Sequence, residues 1–191
     1  MKPVALYVIG APGAGKSTTV EHALRALEWS VLPGELRLHG LLRGQALVSP
    51  AGRTSGVYLG KQRPSFPGTD ALSMGVHPDA VTWAAALPET TELIVGEGAR
   101  LGTVGFLTEL KESAHLVLVH VTAPEERREL NRSTQSATWR AGRKTAAERT
   151  FAAFHDDPAV LKLALDTGQL TPEAAGRRVA GIVHAQRSLH A

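Results

Sequence analysis

Residues 4 to 17 restrict this chain to very few folds. Val4 to Ile9 is a short apolar run with β-branched and aromatic residues, which reads as a buried strand. It runs directly into Gly10, Ala11, Pro12, Gly13, Ala14, Gly15, Lys16, Ser17 and Thr18. The first eight of these fit Gly-x-x-x-x-Gly-Lys-Ser/Thr, the P-loop pattern. Glycines let the backbone curl until successive N–H groups face one phosphate, with no Cβ in the way. Lys16 brings a point charge for the β- and γ-phosphates, and Ser17 brings a hydroxyl for Mg²⁺. The helix opening here offers its positive N-terminal end. Val20, Ala23, Leu24 and Leu27 give that helix one apolar face over residues 16–29. A nucleoside-triphosphate site follows, with ATP and Mg²⁺ as its expected ligands.

At 191 residues the chain fits one domain with a full core. The absence of cysteine excludes disulfides, thiolate metal sites and cysteine nucleophiles. The N-terminal apolar run lacks the basic flank and cleavage site of a secretory signal. No stretch approaches the roughly 18 apolar residues of a membrane span. A cytoplasmic protein is expected, with no membrane partner. A net charge of +3 permits polyanionic partners without requiring one.

Beyond Pro33-Gly34, runs at 41–48 and 54–59 flank Ser49-Pro-Ala-Gly-Arg53 and read as a hairpin. Residues 60–79 are too rich in Pro and Gly for a regular element and predict a functional loop. A short helix is expected at 79–87 and a strand at 92–96. A helix at 103–113 and a strand at 115–121 follow. Residues 124–131 read as a charged helix, and helix resumes to about 154. Asp157-Pro158 and Thr171-Pro172 each resemble an N-cap followed by proline, predicting helices at 158–167 and 172–187. Alternating strands and helices imply an α/β fold: a mostly parallel sheet in three layers, with the hairpin added. Ligands in such sheets bind beyond the carboxyl ends of the strands.

On that edge, Glu97 ends the run Leu93-Ile94-Val95-Gly96 and is placed for Mg²⁺ or for orienting the acceptor. Asp70 is the candidate base for an acceptor hydroxyl; a capping Asp is the plainer alternative. Lys61 and Arg63 could hold an anionic acceptor or simply face solvent. Basic residues crowd positions 127–149, where a lid spanning about 131–144 would close over the phosphates. Arg132, Arg140 and Arg143 are its candidate catalytic arginines, because a planar guanidinium binds phosphate oxygens in pairs. A solvated helix face explains Arg127 and Arg128 better. Trp139 could stack on a base or pack the lid.

Together Gly10 to Ser17, Gly60 to Asp70, Gly96 to Gly102 and Arg132 to Arg143 resemble a family of phage-encoded P-loop kinases. That family is distantly related to nucleoside monophosphate kinases, and some members are similar to 5-hydroxymethyluracil DNA kinases. The resemblance implies phosphoryl transfer to a base hydroxymethyl within DNA, with the basic lid also holding the DNA backbone. A deoxynucleoside monophosphate kinase is the alternative, although no clear Asp-Arg pair follows the second strand. A nucleotide-driven switch is the other class. A remodelling ATPase falls in the same class; a guanine-specific switch normally shows Asn-Lys-x-Asp, and the single asparagine, Asn131, precedes Arg132.

Overall fold

A computed structural model describes residues 2–61, 68–126, 128 and 136–189. Strand β1 (Val4–Gly10) is buried along its whole length and lies inside the sheet, with a strand on either side. Helix α1 (Lys16–Ala26) follows, and then three strands: β2 (Ser30–Val31), β3 (Leu36–His39) and β4 (Leu42–Val48). Strand β5 (Thr54–Leu59), a 3₁₀ turn (Thr69–Ala71) and α2 (His77–Ala85) lead to β6 (Leu93–Glu97). The order continues with α3 (Val104–Ser113), β7 (His115–Thr122), α4 (Ala137–Ala153), β8 (Val160–Asp166) and α5 (Pro172–Leu189).

The sheet runs β2-β4-β5-β6-β1-β7-β8, with β3 also pairing β4. The stretch from β5 to β8 is parallel throughout, and β4 turns the sheet antiparallel at one side. Period-two alternation along β1 then divides the core. Ala5, Tyr7 and Ile9 pack with Trp83, Phe106 and Leu107 under α2, α3 and α4. Val4, Leu6 and Val8 pack with Val20, Leu24, Val179 and Val183 under α1 and α5. Each fully buried Val, Leu, Ile or Phe among them contributes about 1.5–3 kcal/mol. The three-layer α/β expectation holds.

The hairpin is β4–β5, with Gly44 opposite Leu59. It is more integrated than an addition, because β5 pairs in parallel with β6 and belongs to the central sheet. Thr103 caps α3, accepting from the Phe106 N–H at 3.3 Å. Thr171 accepts from the Ala174 N–H at 3.2 Å, so the second N-cap–proline signal is sound.

The first such signal misled. Residues 160–166 form strand β8, not a helix, pairing with β7 from Leu116↔Val160 to Thr122↔Asp166. Val-Leu-Lys-Leu-Ala-Leu-Asp has helix-forming composition, but seven residues suit a strand better than a buried helix. Asp157 does not cap a helix. Its Oδ1 accepts from the Ala159 N–H, while Oδ2 pairs with Lys111 Nζ at 2.7 Å. That ion pair holds the Asp157 carboxyl below, and the Lys111 ammonium above, their ordinary ranges. Strands β2 and β3 had no sequence signature, because they are short and defined by pairing with β4. The helix expected to resume after the lid begins at Ala137, capped by Ser136. Among the described residues, no helix is long and apolar enough to cross a membrane.

Candidate active site

The P-loop leaves β1 at Gly10, whose φ is +152°; a Cβ there would stand 2.2 Å from the Val121 carbonyl oxygen on β7. Gly13 (φ +78°) also lies close to Arg128, with its missing Cβ 2.7 Å from that residue's carbonyl oxygen. These two contacts make glycine obligatory for steric reasons as well as for phosphate approach. Gly15 is the left-handed N-cap of α1 and brings no side-chain acceptor to the first turn, which suits an incoming anion. Lys16 Nζ folds back across the loop and donates to the Gly10 and Ala11 carbonyls, each at 3.1 Å. Its charge therefore sits over the cradle that the backbone forms.

Distant residues fix the loop. Buried Thr167, just past β8, has its Oγ1 3.0 Å from the Ala14 carbonyl and 3.0 Å from that of Thr122. Thr18, Thr167, Leu170 and Pro172 border a cavity of 220 Å³ along the P-loop's outer side. On the other side Ser17 opens onto a cavity of 620 Å³ between α1 and β5, walled by Glu21, Arg25, Trp29 and Tyr58.

Glu97 ends β6 opposite Val8 of β1 and is only 2% exposed. The Tyr58 hydroxyl donates to its Oε1 at 2.9 Å. Gly68 packs against it, with no room for a Cβ beside Glu97 Cγ. Thr69, fully buried, donates from Oγ1 to the Glu97 carbonyl at 2.7 Å. The Tyr7 hydroxyl lies 3.0 Å from Thr69 Oγ1 and 3.3 Å from the Gly98 carbonyl. Burial, reinforced by nearby carboxylates, raises both tyrosine pKa values well above the ordinary phenol range, so both hydroxyls stay protonated.

Asp70 belongs to the same knot. Its Oδ1 accepts from the Ala99 and Arg100 N–H groups, at 2.8 and 3.2 Å, and so clamps the loop that follows β6. Among the described residues Oδ2 has no hydrogen bond. Arg100 Nη1 touches Met74 Sδ, and Arg100 Nε is buried with no hydrogen-bond partner among the described residues.

The basic segment is less uniform than its sequence. Arg132, Arg127 and Arg63 lie outside the described residues, as does the start of the expected lid. Arg140 and Arg143 stand on the first turns of α4. The Arg143 guanidinium lies 5.4 Å from the Trp139 ring centroid, a cation–π contact that occupies one ring face. Lys61 is paired with Glu35 at 3.3 Å. Arg128 corrects the expectation of a solvated helix face. It is 8% exposed, its Nε donates to the Ala123 carbonyl at 3.1 Å, and its backbone rests on Gly13. The contact with Gly13 spans more than a hundred positions, so no local pattern announces it.

Among the described residues no three His, Asp or Glu side chains converge as a metal cage. Ser17 and Glu97 nonetheless fit Mg²⁺, which takes one or two protein oxygens and completes its shell with phosphates and water. Glu97 is a buried carboxylate without a cation among the described residues, and that charge calls for one.

A family model described as P-loop Nucleotide Kinase3 matches residues 1–175. A search of curated proteins finds no match. Among solved structures, an unliganded sugar kinase from Janibacter sp. HTCC2649 is 14% identical with a TM-score of 0.52, covering 98% of each chain. A gluconokinase from Sinorhizobium meliloti 1021 is 20% identical with a TM-score of 0.50, covering 98% of this chain and 96% of that one. These two likenesses show the fold. With its P-loop in place and nearly its whole length matched, the chain belongs to the P-loop Nucleotide Kinase3 family and is a phosphotransferase.

Proposed function

We propose that the chain transfers the γ-phosphoryl group of ATP to a hydroxyl acceptor, with the hydroxymethyl group of 5-hydroxymethyluracil in DNA as the favoured one. The observation that carries this reading is the arrangement at one sheet edge. The P-loop cradle, buried Glu97 and the Asp70 clamp all stand at the carboxyl ends of β1, β5 and β6. The choice of acceptor rests on the resemblance of the four sequence stretches.

In the proposed mechanism the backbone of Gly10 to Ser17 holds the triphosphate, and Lys16 swings from the two carbonyls onto its β- and γ-oxygens. Ser17 and Glu97 would hold Mg²⁺, which would supply charge neutralisation on the phosphates. The acceptor oxygen forms a bond to the γ-phosphorus as the bond to the ADP oxygen breaks. Asp70, anchored through Oδ1, takes the hydroxyl proton on Oδ2. Arg132, Arg140 and Arg143 counter the charge that develops on the equatorial oxygens.

One observation favours a second reading, a deoxynucleoside monophosphate kinase. Arg100 sits beside the Asp70 clamp with a buried Nε that no acceptor among the described residues satisfies, and its guanidinium suits an acceptor phosphate. Radiolabelled ATP offered with duplex DNA containing 5-hydroxymethyluracil, ordinary duplex DNA and free deoxynucleoside monophosphates separates the two. Label confined to the modified DNA supports the first reading, and label on a monophosphate replaces it with the second.

A further inference from the structure

Glu97 raises a question of orientation. A carboxylate that is 2% exposed, with no cation beside it among the described residues, has two oxygens to dispose of. On β5, Tyr58 stands opposite Val95 of β6, and Glu97 is two residues further along the same strand face. The Tyr58 ring therefore leans toward the carboxyl end of the sheet, and its hydroxyl reaches Oε1 at 2.9 Å. No hydrogen bond to Oε2 is present among the described residues.

We propose that Tyr58 is the positioning residue of Glu97: it occupies Oε1 and thereby presents Oε2 toward Ser17, the metal end of the site. This rests on the reading of Glu97 as a ligand of Mg²⁺. The phenol suits the task. Its hydroxyl is a neutral donor, set at hydrogen-bond distance from Oε1 by the pairing of β5 with β6. A lysine there would compete with the metal for the carboxylate, whereas a neutral hydroxyl leaves the negative charge intact. The same ring forms a wall of the 620 Å³ cavity that Ser17 enters from α1, so the hydroxyl stands between that cavity and the carboxylate. Hydrogen bonds of this outer kind typically tune metal affinity or activity by about 10- to 100-fold.

The test compares the wild type with Tyr58→Phe, Tyr58→Leu, Glu97→Gln and the Phe/Gln double variant. Mn²⁺ binding is followed by electron paramagnetic resonance in the presence of a non-hydrolysable ATP analogue. Basal ATP hydrolysis supplies kcat and KM without needing the acceptor. Circular dichroism confirms the fold. Tyr58→Phe should weaken Mn²⁺ binding about tenfold and lower kcat similarly, leaving the KM for ATP within about twofold. Tyr58→Leu should lose no more than the Phe variant, and the double variant no more than Glu97→Gln alone. Wild-type Mn²⁺ affinity in Tyr58→Phe overturns the proposal. So do losses that multiply in the double variant, or a Leu variant that falls while Phe does not, since either assigns the ring to packing. Full Mn²⁺ affinity in Glu97→Gln removes the underlying reading of Glu97 instead, and the positioning role with it.

Discussion

Replacing Thr69 by Val changes shape by almost nothing and removes one hydroxyl from a fully buried site. In the folded protein that hydroxyl has its hydrogen committed to the Glu97 carbonyl at 2.7 Å, so the Tyr7 hydroxyl 3.0 Å away must donate to it. The variant leaves the Glu97 carbonyl short of one donor and forces Tyr7 onto the longer Gly98 contact at 3.3 Å. One bond lost and one weakened, at about 0.5–1.5 kcal/mol each, give a destabilisation near 2 kcal/mol. For a chain of this length that corresponds to a fall in Tm of about 4–8 °C. Tyr7→Phe removes only one side of the arrangement and should cost about 1 kcal/mol. The double variant should then fall short of the sum by about 1 kcal/mol, the coupling expected of groups in contact. Urea unfolding of all four proteins measures this directly. A coupling below about 0.3 kcal/mol would mean that the two hydroxyls do not interact, and the account of how Glu97 is held would fail.

Other expectations are equally direct. Lys16→Ala should keep the fold and lower phosphoryl transfer by about 10² to 10³-fold, read as kcat with labelled ATP; near-full turnover would refute the assignment. Asp70→Asn keeps an oxygen for the Ala99 and Arg100 N–H groups but cannot accept the acceptor's proton. Its kcat should therefore fall with Tm nearly unchanged, and full activity would leave Asp70 as a clamp alone. Gly176 and Gly181 share α5, yet a Cβ at Gly176 would meet His22 Cβ at 2.4 Å while Gly181 faces open space. Gly176→Ala should thus destabilise by about 1–2 kcal/mol despite better helix propensity, and Gly181→Ala should stabilise by about 0.5–1 kcal/mol, both by thermal melts. His120 has its pKa lowered by burial, partly opposed by Glu148. The unfolded chain takes up a proton below about pH 6.5 that the folded one resists. Stability should therefore fall as the pH drops through that range and level off below the folded pKa, and His120→Gln should flatten the curve.

How much of this was legible depended on distance along the chain. The P-loop could be read whole, since its glycines, lysine and helix start act within eight residues. Glu97 was legible as the end of an apolar strand. Asp70 was named as a base or as the cap of a local turn or helix, whereas its hydrogen bonds run to the Ala99 and Arg100 N–H groups, 29 and 30 positions away. Strand β8 was misread because its composition favours helix, and only pairing with β7 decides the matter. The supports of the site had no local signature at all. Tyr58 reaches Glu97 across 39 positions, and Tyr7 reaches Thr69 across 62. Arg128 looked like a surface residue because its neighbours are charged, yet it is buried and its backbone lies against the distant Gly13.

The bond from Thr167 to the Ala14 carbonyl spans 153 positions. During synthesis β1 emerges first, yet it must wait for β6 and β7 to flank it and for β8 to bring Thr167 against the loop. Such non-local closure is slow relative to helix formation. The most recognisable motif in the sequence is therefore among the last parts of the molecule to take its final shape, and nascent chains released before residue 167 should have little hold on a nucleotide.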